Sequence, residues 1–355
     1  MREERYGEAE PLLKRVVGAR KEALGPNHPD TLSAMDDLAG LYGRQENYAE
    51  SEALLRRALA AREQALGPDH PDTLTAANNL ARVYFSEQRY PEVERLLKRV
   101  LAGRQSALGP DHPDTLGTLD LLAGLYMTEE RYGEAEPLYK RLLAEHEKAL
   151  GQNHPDTLRL LNNLAGVYFN QQRYGEAGPL FERALAGQEQ ALGPNHPDTL
   201  NIANNLGGVY ERLGQYGIAE KLFKRAITGF ELAWGPDHPK TRDPIIHLTG
   251  LYAHLGRFRE AEPWLKQALA AHDRDSAQGD SDKLTKVNIL AASYFKLGRY
   301  EEAEPLLKQV LAAREETLGP DHPQTLASVT ELAELYMNQG HNKEAEILFE
   351  RALEV

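Results

Sequence analysis

Seven histidines, each followed by proline, stand at His28, His70, His112, His154, His196, His238 and His322. Imidazole is the commonest metal ligand and the usual general base near neutral pH, so this series invites a catalytic or metal-binding reading. Every interval is 42 residues except the last, which is twice 42 and passes over Asp280. A ligand must lie about 2 Å from zinc, whereas neighbouring helices pack about 8–10 Å apart. One histidine at the same place in each unit therefore makes a ladder rather than a cluster, and helix capping explains it better. Repeated Tyr-x-Glu-Ala-Glu segments supply many carboxylates, Glu134 and Glu136 among them. Placed at the start of a helix, they meet the positive end of its dipole. Paired catalytic acids would need one asymmetric site, and no copy is singled out. Phosphate-binding glycine loops, His-Glu-x-x-His and Gly-x-Ser-x-Gly are absent. There are no cysteines, which removes disulfides, thiolate metal sites and a thiol nucleophile. These residues point away from an enzyme, and no cofactor is implied.

The elements that carry them repeat with the same period. A second marker, Tyr6, Tyr48, Tyr90, Tyr132, Tyr174, Tyr216, Phe258 and Tyr300, keeps the 42-residue register. Each unit reads as two helices. In the unit opening at His70, that residue is the expected N-cap, Pro71 takes the first helical position and Asp72 faces the dipole. Leu74, Ala77, Leu80, Ala81 and Tyr84 then recur at helical spacing. The polar turn Glu87-Gln88-Arg89 leads to Tyr90 and a second helix with Val93, Leu96, Leu97, Val100 and Leu101 on one face. Gly109-Pro110 stops it. Pro11, Pro137, Pro179, Pro263 and Pro305 are expected in the first turn of their helices, where the missing N–H costs nothing. The column Tyr42, Tyr84, Tyr126, Tyr168, Tyr210, Tyr252, Tyr294 and Tyr336 reads as packing between helices rather than a platform for bases.

Leu206-Gly207-x-x-Tyr210 followed by Ala219-x-x-x-Phe223 resembles the tetratricopeptide motif. Leu164, Ala165, Tyr168, Ala177 and Phe181 keep the same register. The unit exceeds the usual 34 residues and lacks the motif's closing proline. With its Leu-Gly-Pro-Asp-His-Pro-Asp-Thr linker and Asn-Asn-Leu-Ala core, it is similar to the kinesin light chain subfamily. The resemblance covers essentially the whole chain. It implies an all-α fold, a right-handed solenoid of tandem helical hairpins whose concave face is lined by first helices and holds a peptide or protein.

The expected organisation is a lone second helix over residues 1–27, six units over 28–279, and two further units over 280–355 after a degenerate linker. The chain has 355 residues, with 41 Lys+Arg against 54 Asp+Glu and a formal net charge of −13. Such a charge disfavours phosphate backbones and anionic lipid, so neither nucleic acid nor membrane is the expected partner. No stretch approaches the roughly 20 apolar residues of a membrane helix, and the charged N-terminus is no secretory signal. A cytoplasmic setting fits. Neither end carries a polar capping helix, as solenoids normally need. The chain then reads either as a segment of a longer array or as one that self-associates through its ends.

On a helical wheel, the stripe opposite the core of the second unit holds Thr75, Asn78, Arg82, Phe85 and Ser86. The Asn78 column continues through Asp120, Asn162, Asn204 and Asn288, and the next column holds Asn79, Asn163 and Asn205. Asparagine is a mediocre helix former. Facing a groove, its amide can bond the backbone of an extended peptide without reading its sequence; alternatively one member of each pair bonds the neighbouring repeat. The Arg82 column also holds Gly40, Gly124, Gly166, Gly208 and Gly250. Mid-helix glycine costs about 1 kcal/mol against alanine, so these mark either a groove floor or close packing of first helices. Arg82, Arg159 and Arg212 make the central stripe mildly positive. Together with the resemblance, this favours an acidic or neutral peptide with an aromatic anchor.

The later units break the pattern. Asp243-Pro244 enters a first helix, Ile246-His247 replaces the asparagine pair, and Trp234 replaces a linker leucine. The linker Asp273-Arg274-Asp275-Ser276-Ala277-Gln278-Gly279-Asp280 loses the repeated motif, by drift or as a joint. Three roles fit the whole: a peptide-binding scaffold, a regulatory segment of a larger signalling or effector enzyme, or a self-assembling structural array.

Overall fold

The structure, a computed structural model, describes residues 2–236, 238–273 and 280–353. Among them every regular element is an α-helix. First helices are α2 (Pro29–Arg44), α4 (Pro71–Ser86), α6 (Pro113–Thr128), α8 (Pro155–Asn170), α10 (Pro197–Arg212), α12 (Pro239–His254), α14 (Asp280–Lys296) and α16 (Pro323–Gln339). Second helices are α1 (Arg2–Leu24), α3 (Tyr48–Leu66), α5 (Tyr90–Leu108), α7 (Tyr132–Leu150), α9 (Tyr174–Leu192), α11 (Tyr216–Trp234), α13 (Phe258–Asp273), α15 (Tyr300–Leu318) and α17 (Asn342–Leu353). The chain divides into two compact units, one ending at Gln172 and the other starting at Arg173. Within each, antiparallel hairpins stack in tandem, as in an α-solenoid. Most of the linker around Asp275 lies outside the described residues.

The repeated linker is a helix-joining device. Gly109 ends α5 at φ +93°, ψ 163°, a region closed to residues with a Cβ. His112 then caps α6: its Nδ1 accepts from the Asp114 backbone N–H at 3.2 Å, and Pro113 occupies the first helical position. The same cap forms at His28, His70, His154, His196, His238 and His322. Thr115, buried, donates its hydroxyl to the Gly109 carbonyl at 2.9 Å. Thus one histidine and one threonine satisfy the polar groups exposed where the chain reverses.

The expected core face is buried: Leu74, Ala77, Leu80, Ala81 and Tyr84 are each 3 % exposed or less. The tyrosines add a polar function to packing. Tyr126 donates to Glu94 of the preceding second helix at 3.0 Å, while Arg131 in the following turn meets the same carboxylate at 2.8 Å and Lys98 at 2.7 Å. Arg257, Lys224 and Tyr252 close on Glu220 in the same way. This carboxylate column is a clamp between successive hairpins. Glu134 meanwhile pairs with Arg131 at 2.7 Å and Glu136 with Lys140 at 2.6 Å.

The prolines differ from expectation. Pro11, Pro137, Pro179, Pro263 and Pro305 lie inside their helices, because each helix already starts at or before the marker aromatic five residues upstream. For Pro137 the carbonyl that loses its partner belongs to Gly133, which is exposed and can bond water.

Candidate groove on the first helices

The side chains singled out along the first helices converge in the unit ending at Gln172. Arg82, Phe85 and Ser86 of α4, Leu121 and Gly124 of α6, and Arg159 and Asn163 of α8 wall a cavity of about 540 Å³. Its floor is apolar, formed by Val93 and Leu97 of α5 and by Tyr139 of α7. A neighbouring depression of about 430 Å³ lies between α2 and α4, with Asp36, Gly40, Arg44 and Asn79 on its walls. Arg82 and Ser86 line both.

The charges in this region are not equivalent. Arg159 is committed to Asp120, Nη2 to Oδ2 at 2.9 Å. The Arg82 guanidinium meets no carboxylate or hydrogen-bond acceptor among the described residues and is exposed. Asp36 lies behind, joined at 2.7 Å to the nearly buried Arg62 of α3. Burial pushes its carboxyl above the ordinary range, with Arg62 opposing the rise. Burial also pushes the Tyr139 phenol up to about 12, against a hydrogen bond with Asn163.

The asparagines divide by surroundings. Asn163 lines the larger cavity and Asn79 the smaller. Asn78 and Asn162 are half-buried, and the Asn78 Oδ1 is hidden from solvent with no partner among the described residues. In the unit starting at Arg173, Asn204 is buried and meets Nδ1 of His247 in the next first helix at 3.0 Å, while Asn205 and Arg212 are exposed. Burial raises the Glu211 carboxyl there, and Arg212 opposes it.

A Cβ added to Gly40, Gly124 or Gly250 would meet nothing within 4 Å. Close packing of first helices therefore does not explain these glycines, and Gly124 faces the larger cavity directly. Tight packing occurs elsewhere: a Cβ on Gly229 would fall 2.3 Å from Leu200 Cδ1, and one on Gly207 2.6 Å from Phe223 Cε1. The cavity floor lies off the stripe of first-helix positions that face away from the core. Tyr139 stands in a column otherwise filled by Leu and Phe (Leu97, Phe181, Phe223), and a hydroxyl in an apolar column was the available signal. No group of three or more His, Cys, Asp or Glu side chains among the described residues is placed to hold a metal, and none of the helices is long and apolar enough to cross a membrane.

This architecture defines a class, the helical-hairpin repeat proteins. The chain belongs to the tetratricopeptide repeat family, whose models match residues 1–64, 37–106, 77–144, 114–168, 156–232 and 284–355, with a related model matching 245–279. The repeat fold of this family is generally non-catalytic, its members are typically scaffolds for peptides or proteins, and this chain is an interaction scaffold of that kind. Among solved structures it is similar to TPR-like repeats from Podosopora anserina assigned to a kinesin light chain, at 29 % identity over 58 % of this chain and 97 % of that one, with a TM-score of 0.53. The fold is shared with BtubC (BKLC) from P. vanneervenii, at 20 % identity over 76 % and 94 % of the two chains and a TM-score of 0.53. It is shared too with the apo quorum sensor NprR from B. thuringiensis, at 13 % identity over 98 % and 93 % and a TM-score of 0.68. No curated protein matches the chain.

Proposed function

We propose that the first helices α4, α6 and α8 hold an extended acidic or neutral peptide carrying one aromatic side chain. The observation that carries this reading is the cavity shared by three successive first helices, apolar below and bordered by an uncommitted arginine above. Its volume suits one large side chain with room for adjoining backbone. Phe85, at 38 % exposure, offers an edge for an aromatic ring. Arg82 offers bidentate bonding to a carboxylate, and Asn163 an amide for the peptide backbone. Arg159 orders the rim through Asp120 and contributes less net charge. Asn78, Asn79 and Asn162 extend the contact surface within the unit ending at Gln172, and Asn204, Asn205 and Arg212 hold the equivalent columns of the other unit. A cytoplasmic setting suits a chain without cysteine.

Peptide display against the purified chain and against an Arg82/Arg159/Arg212→Glu variant tests this. The expected outcome is enrichment of acidic, aromatic-bearing peptides on the native chain alone. Equal enrichment on a folded variant would remove the groove from the proposal. An absence of enrichment, with mass in light scattering rising with concentration, would instead support self-association.

A further inference from the structure

A third cavity, of about 440 Å³, lies away from the groove between α3 and α5, over α4. Leu59, Leu80 and Leu96 line its base, and Arg56, Arg95 and Arg99 its rim. Two of these arginines do structural work that recurs along the chain. Arg56 bonds Glu52 at 2.9 Å and the Tyr84 hydroxyl at 2.8 Å, as the lysine of each clamp does elsewhere. Arg99 bonds Glu63 at 2.6 Å and the Pro68 carbonyl at 3.1 Å, and Arg225 repeats this on Glu189 and Pro194.

Arg95 breaks the pattern. Its column holds Pro11, Ala53, Pro137, Pro179, Lys221, Pro263 and Pro305, so the helix does not require arginine there. It is exposed and forms no hydrogen bond or ion pair among the described residues, and the Glu92 carboxylate three residues earlier on the same helix feels its charge only at longer range. In a repeat array, whatever builds the repeat recurs, and a departure placed on the lip of a cavity calls for another cause. The two carboxylates that answer Arg56 and Arg99 lie outside the cavity lining, so three arginines border a surface of three leucines and the Tyr84 ring, whose hydroxyl is already taken by Arg56, and Arg95 alone is left without a hydrogen-bonded partner.

We infer that this cavity binds a carboxylate carried on an apolar body, with Arg95 taking the anion and the leucines the hydrocarbon. Guanidinium matches a carboxylate through two parallel hydrogen bonds, and the volume falls in the range of small-molecule sites. Such a group occurs in a medium-chain fatty acid and at the free C-terminus of a peptide ending in a large apolar residue. The site is independent of the groove.

Isothermal titration of the whole chain with octanoate, and separately with a short peptide ending in free phenylalanine, tests it. Octanamide and the C-terminally amidated peptide are the neutral counterparts. Saturable binding of at least one acid is expected, about tenfold weaker for its neutral counterpart and about tenfold weaker on Arg95→Ala. Alanine is what α3 carries at this position, as Ala53, so the fold tolerates it. Arg82→Glu is expected to leave the affinity unchanged. The acid that binds identifies the source. Absence of saturable binding by both acids, or equal affinity on Arg95→Ala, would overturn the inference.

Discussion

Gln88 sits at φ +59° in the turn between α4 and α5, and Glu46, Glu130 and Gln172 adopt the same left-handed conformation. The corresponding residues of other repeats are glycines: Gly214, Gly256, Gly298 and Gly340. The conformation is imposed by a closing pair of bonds, Arg89 N–H to Tyr84 carbonyl at 2.9 Å and Gln88 N–H to Phe85 carbonyl at 3.0 Å. A side chain there costs about 1 kcal/mol. Gln88→Gly therefore relieves strain in the fold but loosens the unfolded chain, and a net gain of a few tenths to about 1 kcal/mol is expected in urea denaturation. A loss would mean that the freedom gained by the unfolded chain outweighs the strain relieved in the turn. The histidine caps give the opposite case. His112→Ala removes an acceptor that nothing else replaces and should cost about 1 kcal/mol, whereas His112→Asn, itself a strong N-cap, should cost much less. Equal losses would show that the ring matters for packing rather than capping.

At the scale of elements, the clamp on Glu94 links stability to pH. Its hydrogen bonds to Arg131, and next to Lys98 and Tyr126, hold the carboxyl down to about 2, well below its ordinary 4.5. A carboxyl held down in the fold contributes stability that is complete above its unfolded value and is lost as pH falls from there toward about 2. Glu94→Gln should thus be less stable than the native chain by about 1–2 kcal/mol near neutral pH, with the gap closing as pH drops below 4.5. Urea midpoints measured across that range check this, and a gap independent of pH would assign the loss to packing. The periodic features of these elements were legible in the sequence, because period 42 fixes helix starts, caps and core faces at once. The clamp was not. Glu94, Lys98, Tyr126 and Arg131 come from two helices and a turn, and their convergence depends on how one hairpin sits on the next. The groove was half legible for the same reason: a helical wheel finds Arg82, Phe85 and Gly124, but not Tyr139 or the Asp120–Arg159 pair.

Across the whole molecule, stability in a repeat array is a sum of hairpins and the joints between neighbours, so a joint without its clamp is where cooperativity is weakest. One such joint lies between α9 and α10. Gly178 replaces the clamp carboxylate, Glu182 the lysine and Gln215 the arginine, and Tyr210 bonds Glu182 instead. The backbone accepts a side chain here, since a Cβ on Gly178 would lie 3.7 Å from Val209 Cγ1, an ordinary contact. The triple variant Gly178→Glu, Glu182→Lys, Gln215→Arg should therefore rebuild the clamp around Tyr210. Replacing a mid-helix glycine adds up to about 1 kcal/mol by itself, and Gly178→Ala measures that part alone. Ion-pair networks that are partly buried add to this, where isolated surface pairs would not. The expected result is slower amide exchange in α9 and α10 for the triple variant than for Gly178→Ala, by a factor of about five to ten, equivalent to about 1 kcal/mol. Exchange no slower than in Gly178→Ala would mean that apolar packing alone sets the strength of the joint, and that the recurring carboxylate serves register rather than stability.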